Sequence, residues 1–147
     1  MKIPMLPLAV AALLVSLSIA TAAQGWSDDY AKSLERAKAE NKMVLLDFTG
    51  SDWCGWCKKL NREVFSTPKF EEYARANLVL VEIDFPRSKA QTDAVKAQNE
   101  ALQQQYRIRG YPTIIVLNAV GKQVGQLGYM EGGPDAFIAE LEKLKKS

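Results

Sequence analysis

The chain has 147 residues, the length of one ordinary domain. Its 19 Lys and Arg nearly balance 17 Asp and Glu, a formal charge of +2, which argues against a nucleic-acid binder because that function concentrates positive charge. With no histidine and only two cysteines, it cannot run His-based acyl transfer, ligate zinc or haem through His, or build a disulfide-dense scaffold.

Met1-Lys2 is a short positive start, and no charge follows from Ile3 to Ala23. Leu6 to Ile19 is almost wholly apolar and runs into the small residues Ala20-Thr21-Ala22-Ala23. That is the layout of a secretory signal peptide, so the expected organisation is a leader over 1–23 and one domain over 24–147. The alternative is an uncleaved membrane anchor, since the uncharged stretch approaches the roughly 20 residues a span requires. The expected location is the periplasm or the exterior of the cell.

Trp26 to Asn41 reads as a helix capped by Ser27, with Asp28 and Asp29 in its first turn and an apolar stripe of Tyr30, Leu34 and Ala37. Met43 to Phe48 is a nearly continuous apolar run, the pattern of a strand covered on both faces, and ends in the polar turn Thr49-Gly50-Ser51-Asp52. Trp53 to Phe65 is expected to be helical from the first cysteine onward. Thr67 as cap and Pro68 at the first position restart a helix that buries Phe70, Tyr73 and Ala74. A second strand spans Leu78–Asp84, and Thr92–Tyr106 is a helix with Val95, Leu102 and Tyr106 toward the core. Thr113–Leu117 and Lys122–Leu127 read as a third strand and an edge strand joined as a hairpin. Gly132-Gly133-Pro134 opens a last helix with Phe137, Ile138, Leu141 and Leu144 in one stripe. Strands alternating with helices imply an α/β sheet covered on both faces, its first two strands parallel and its last two antiparallel.

The chemistry concentrates at Trp53-Cys54-Gly55-Trp56-Cys57-Lys58. A cysteine at a helix N-terminus meets unpaired N–H groups that stabilise its thiolate, which places Cys54 to attack a partner's disulfide. Cys57, nearly one turn on, then resolves the mixed disulfide. Gly55 and Trp56 shape the turn, whereas Lys58 and Lys59 are expected to face solvent. A static disulfide and half of an oligomeric zinc site are the blander alternatives, disfavoured by a strand–turn–CxxC–helix context and by the lack of other Cys or His ligands. Asp47 interrupts an apolar strand, and a carboxylate there acts either as proton acceptor for Cys57 or as a paired or hydrated strand-end residue. Pro112 stands at the start of a strand, where residue types alone favour a trans bond. Trp56 with Tyr111 forms an apolar lip for extended polypeptide, or else Trp56 only shields the sulfurs; Trp53 packs beneath the motif.

The segments Val44–Phe48, Trp53–Lys58, Val81–Asp84 and Arg109–Thr113 resemble, in order, those of the thioredoxin-fold family, and within it exported thiol–disulfide oxidoreductases, here with a Cys-Gly-Trp-Cys motif. The resemblance implies an α/β thioredoxin-like fold with a central mixed sheet of four to five strands flanked by helices. It implies a catalytic set of Cys54 as nucleophile, Cys57 as resolving cysteine, Asp47 as buried proton acceptor and Pro112 in cis, with Trp53, Gly55, Trp56 and Tyr111 around the substrate. No cofactor beyond the Cys54–Cys57 pair is implied. The implied partners are cysteine-containing exported proteins and a membrane-bound thiol electron donor, with no nucleic acid, for a monomeric protein. The sequence departs from the family in a link before Trp53 that is one residue longer, in Trp56 where thioredoxins have Pro and isomerases or oxidases have His, and in Leu80 where a lysine is common. The missing histidine disfavours a strong oxidant, so the expected direction is reductase or isomerase. A binding or assembly protein with a closed disulfide is the alternative.

Overall fold

Three apolar segments set the architecture, because each must be covered on both sides. The computed structural model describes residues 25–147, and the expected leader over 1–23 lies outside them. β1 (Met43–Thr49), β2 (Leu78–Asp84), β3 (Thr113–Leu117) and β4 (Gln123–Leu127) form a four-stranded sheet in the order β2-β1-β3-β4. β1 pairs parallel with β2, and β3 pairs antiparallel with both β1 and β4, giving the mixed sheet expected. A parallel pair needs a crossover; here α2 (Gly55–Leu60), a π-helical turn at Asn61–Phe65 and α3 (Pro68–Asn77) supply it. α1 (Tyr30–Glu40), α4 (Asp93–Gln105) and α5 (Gly133–Lys145) complete the layers.

Alternation along β1 sorts the core. Val44, Leu46 and Phe48 point to the α1 and α4 side, where Ala37 and Leu102 meet them. Met43 and Leu45 point the other way, onto Leu60, Val64, Phe65, Phe70, Phe137 and Leu141. Asp47 shares the parity of Met43 and Leu45, so its carboxylate faces the side covered by α2. Leu80 and Glu82 take the same face of β2 by the same period.

One local expectation fails. Ser27 does not cap α1; its N–H donates to the Leu80 carbonyl at 3.0 Å and its carbonyl accepts from Glu82 N at 2.8 Å, a single parallel bridge beside β2. Tertiary pairing thus holds Ser27 extended, and Asp29 caps the helix instead, accepting from Lys32 N at 3.0 Å. No acidic residue lies in the first helical turn. α3 starts as expected, with Thr67 as cap and Pro68 at its first position, and α4 starts at Asp93 with Thr92 as its cap. Along α4, Val95 is only half-buried, while the buried Asn99 donates to the Asp84 carbonyl at 3.0 Å and ties the helix to the end of β2.

The α3 and α5 side is held by an aromatic cluster. Phe137 is fully buried and stands edge-on to Phe65 and Phe70, at ring-centroid distances of 5.4 and 6.1 Å. Phe137→Ala is expected to cost about 3–5 kcal/mol in urea denaturation, since the vacated space cannot close without moving both neighbours, whereas Phe137→Leu should cost well under half as much.

Candidate active site

The turn after β1 brings the cysteines to the sheet's end. Cys54 N and Trp53 N both donate to the Gly50 carbonyl, at 2.8 and 3.2 Å. A Cβ at Gly50 would lie 2.3 Å from the Trp53 indole, so the turn requires glycine there. The longer link is laced to the segment after β2. Ser51 donates through its N–H and hydroxyl to Asp84 at 2.9 and 2.5 Å, and Trp53 Nε1 donates to the Phe85 carbonyl at 2.8 Å. The Asp52 carboxylate accepts from the N–H groups of Arg87, Ser88 and Lys89 at 3.0, 2.7 and 3.1 Å, and these bonds hold its pKa below the usual carboxylate range.

Cys54 and Cys57 form a disulfide with Cα atoms 5.2 Å apart. Cys54 is the N-cap of α2, extended at φ −85° and ψ 108°, and its Sγ accepts from Cys57 N at 3.2 Å. An N–H donor aimed at a sulfur in this way favours negative charge on it. Solvent exposure does not separate the two residues, at 7 % and 6 %. An added Cβ at Gly55 would meet no atom, so this glycine leaves the surface beside Cys54 uncovered.

What separates the sulfurs lies underneath. A cavity of about 120 Å³ is lined by Cys57, Lys58, Asn61, Asp47, Thr49, Glu82, Ser51 and Trp26, and Cys54 is not part of it. Asp47 is buried there, and its Oδ1 has no hydrogen-bond partner among the described residues. Desolvation foremost, then the charges of Glu82 and Asp84, push the Asp47 carboxyl up to about 8. Asp47 is thus a buried carboxyl that lines the same cavity as the second cysteine. A separate cavity of about 190 Å³, between Trp26 and Leu78, opens elsewhere.

The aromatic side chains divide into two groups. Tyr111 does not join Trp56; it packs edge-on to Trp53 at 5.8 Å and against Phe85 at 5.5 Å, with its hydroxyl accepting from Gln103. The Tyr111–Pro112 bond is cis, as the family resemblance implies. Trp56, 58 % exposed, leans on Tyr129 at 5.0 Å. Lys59 sits over both rings, 5.2 Å from Trp56 and 4.9 Å from Tyr129, rather than facing open solvent, while Lys58 is exposed. Glu63 accepts from the Tyr129 hydroxyl at 2.7 Å. Trp53 carries the Arg87 guanidinium over its ring at 4.0 Å. The Trp56–Lys59–Glu63 spacing was a visible helical stripe, but Tyr129 joins it only through the tertiary fold. Glu82 left a plainer signal, an acid in an apolar strand.

Among the described residues, no group of three or more His, Cys, Asp or Glu gathers to hold a metal, and the redox chemistry resides in the disulfide itself. The family profile described as "Thioredoxin-like domain" matches residues 30–145. Disulfide bond reductase DsbH of Chlamydia pneumoniae is 35% identical over 128 residues, covering 87% of this chain and 76% of that protein. Thioredoxin-related protein DsbJ of the same organism is 31% identical; the match covers 81% of this chain and only 37% of that longer protein. A solved structure named DsbH Oxidoreductase superposes with a TM-score of 0.79 at 33% identity, covering 94% of this chain and 95% of the other.

Proposed function

Because the chain belongs to the thioredoxin-like family, we propose that its redox-active pair works in the reducing or isomerising direction, on cysteine-containing proteins outside the cytosol. The protein is a thiol–disulfide oxidoreductase of thioredoxin fold, and its working part is the Cys54–Cys57 disulfide. In the proposed sequence the reduced pair meets a partner disulfide. The Cys54 thiolate attacks one partner sulfur, a mixed disulfide forms, and the other partner sulfur leaves as a thiolate. Asp47 takes the proton of Cys57, whose thiolate attacks Cys54 Sγ. The Cys54–Cys57 bond forms, the mixed bond breaks, and the partner departs with both sulfurs reduced.

The observation that carries this assignment is the placement of Cys57 alone, of the two cysteines, on the cavity that holds Asp47. Trp53, Gly55, Trp56 and Tyr111, with the cis Tyr111–Pro112 bond, are proposed to bracket the bound polypeptide. The relative named a disulfide bond reductase and the lack of a histidine between the sulfurs support the reducing direction. An exported, monomeric protein with a cleaved leader and recharged by a membrane-bound thiol donor completes the reading.

Equilibration with glutathione buffers is expected to give a reduction potential of about −230 mV or lower, and the reduced protein should precipitate insulin. A potential near −120 mV would make the protein an oxidant. A disulfide that no physiological reductant opens would leave only a binding protein.

A further inference from the structure

Asp47 and Glu82 are register partners across the parallel β1–β2 pair, and both line the cavity that holds Cys57. Adjacent strands lie roughly 4.8 Å apart, and residues paired this way project from the same face. Neither carboxylate has a hydrogen bond or ion pair with a basic side chain among the described residues, and Asp47 Oδ1 has no partner at all. Two acids sharing one small space cannot both ionise without penalty. Unlike Asp47, Glu82 is only half-buried, so it touches both the cavity and the outside.

We propose that Glu82 is the outlet for the proton that Asp47 receives from Cys57. This rests on the reading of Asp47 as the base. The proton leaves the Cys57 thiol for the Asp47 carboxylate and crosses the cavity to the Glu82 carboxylate. Glu82 releases it to solvent, which restores Asp47 for the next cycle. The cavity, about 120 Å³, has room for water to bridge the two groups. No electrons move in this branch; the two-electron change is confined to the sulfurs. Glu82 touches neither sulfur, so it is a positioning residue that acts through Asp47.

Other charges surround the pair. Asp84 on β2 and Asp28 before α1 make Glu82 harder to ionise, Lys89 opposes them, and Lys58 of α2 lines the cavity. Burial raises Glu82 above the ordinary carboxylate range, and its charge in turn raises Asp47. Glu82 thus keeps Asp47 a stronger base than burial alone would.

The test uses the full chain with Cys54 carrying a thionitrobenzoate mixed disulfide, whose release by Cys57 is followed at each pH, alongside a carboxyl NMR titration of Asp47 in the reduced protein. In Glu82→Gln the Asp47 midpoint is expected to fall by about one pH unit, and the acid limb of the release profile to fall with it; Glu82→Asp should restore both. An unmoved midpoint or an unmoved limb in a folded Glu82→Gln protein overturns the proposal. Asp47→Asn separates the two assignments. If it keeps the wild-type profile, the base assignment falls and the outlet with it; if it is slow while Glu82→Gln is unaltered, only Glu82 has been misassigned.

Discussion

Replacing Cys57 by serine is expected to leave a protein that attacks disulfides and cannot let go of them. Turnover with insulin should drop on the order of 10³-fold or more, while covalent adducts with partner proteins accumulate and run as reducible bands on non-reducing gels. Cys54→Ser should lose the same turnover and trap nothing. The contrast is informative because the residues are almost equally covered, at 7 % and 6 % exposure, so access alone cannot choose the attacker. The choice follows from surroundings. Cys54 ends an extended segment and accepts an N–H from Cys57, whereas Cys57 lies over a buried acid. Adducts through Cys57 in the Cys54→Ser protein would reverse the roles.

Asp47→Asn should do two opposite things, make the protein more stable at neutral pH and slow its second chemical step. With a carboxyl at about 8 in the fold and 3.8 when exposed, the native state holds the extra proton between those values. Wild-type stability therefore falls as pH rises through that window and levels off above it. At pH 7 the deficit is at most about 4 kcal/mol, and the asparagine, which leaves a buried amide short of partners, should recover about 2 kcal/mol of it. The gain should fade through pH 4 toward about pH 3, where the wild-type aspartate is mostly protonated in both states. Urea titrations at pH 4.5 and 7.5 read this directly, and an equal difference at both would refute it. Resolution of the mixed disulfide near pH 7 should slow at least about tenfold, and its acid limb, centred near pH 8 in the wild type, should disappear.

The strands were legible because burial on both faces writes an uninterrupted apolar run. Leu78–Asp84 and Thr113–Leu117 have the boundaries read from the chain. Thr67 and Pro68 were legible for a local reason, since a cap acts on N–H groups three residues away. Ser27 carries the same local signal and lost to pairing with Leu80 and Glu82, some fifty residues distant. The cysteine motif and Asp47 stood out as chemical exceptions in their segments. Tyr111 had the right neighbourhood and the wrong partner, because the corner at Pro112 turns it onto Trp53 and Phe85 and leaves Trp56 to Tyr129. In the sequence Glu82 is marked only as one residue of a family-like segment. Its importance comes from register, and register between β1 and β2 is set by the whole crossover rather than by either strand.

The lacing of Asp52, Ser51 and Trp53 to residues 84–89 has a consequence for how such a site can vary. The loop that presents the cysteines and the loop that follows β2 are one mechanical part made from two pieces of chain. Three backbone N–H groups of the second loop are spent on a single side chain of the first. A graft that swaps the cysteine loop into another scaffold, or changes its length, must carry residues 84–89 along. Without them the Asp52 carboxylate loses its three N–H donors, and the Trp53 indole loses the Phe85 carbonyl that holds it.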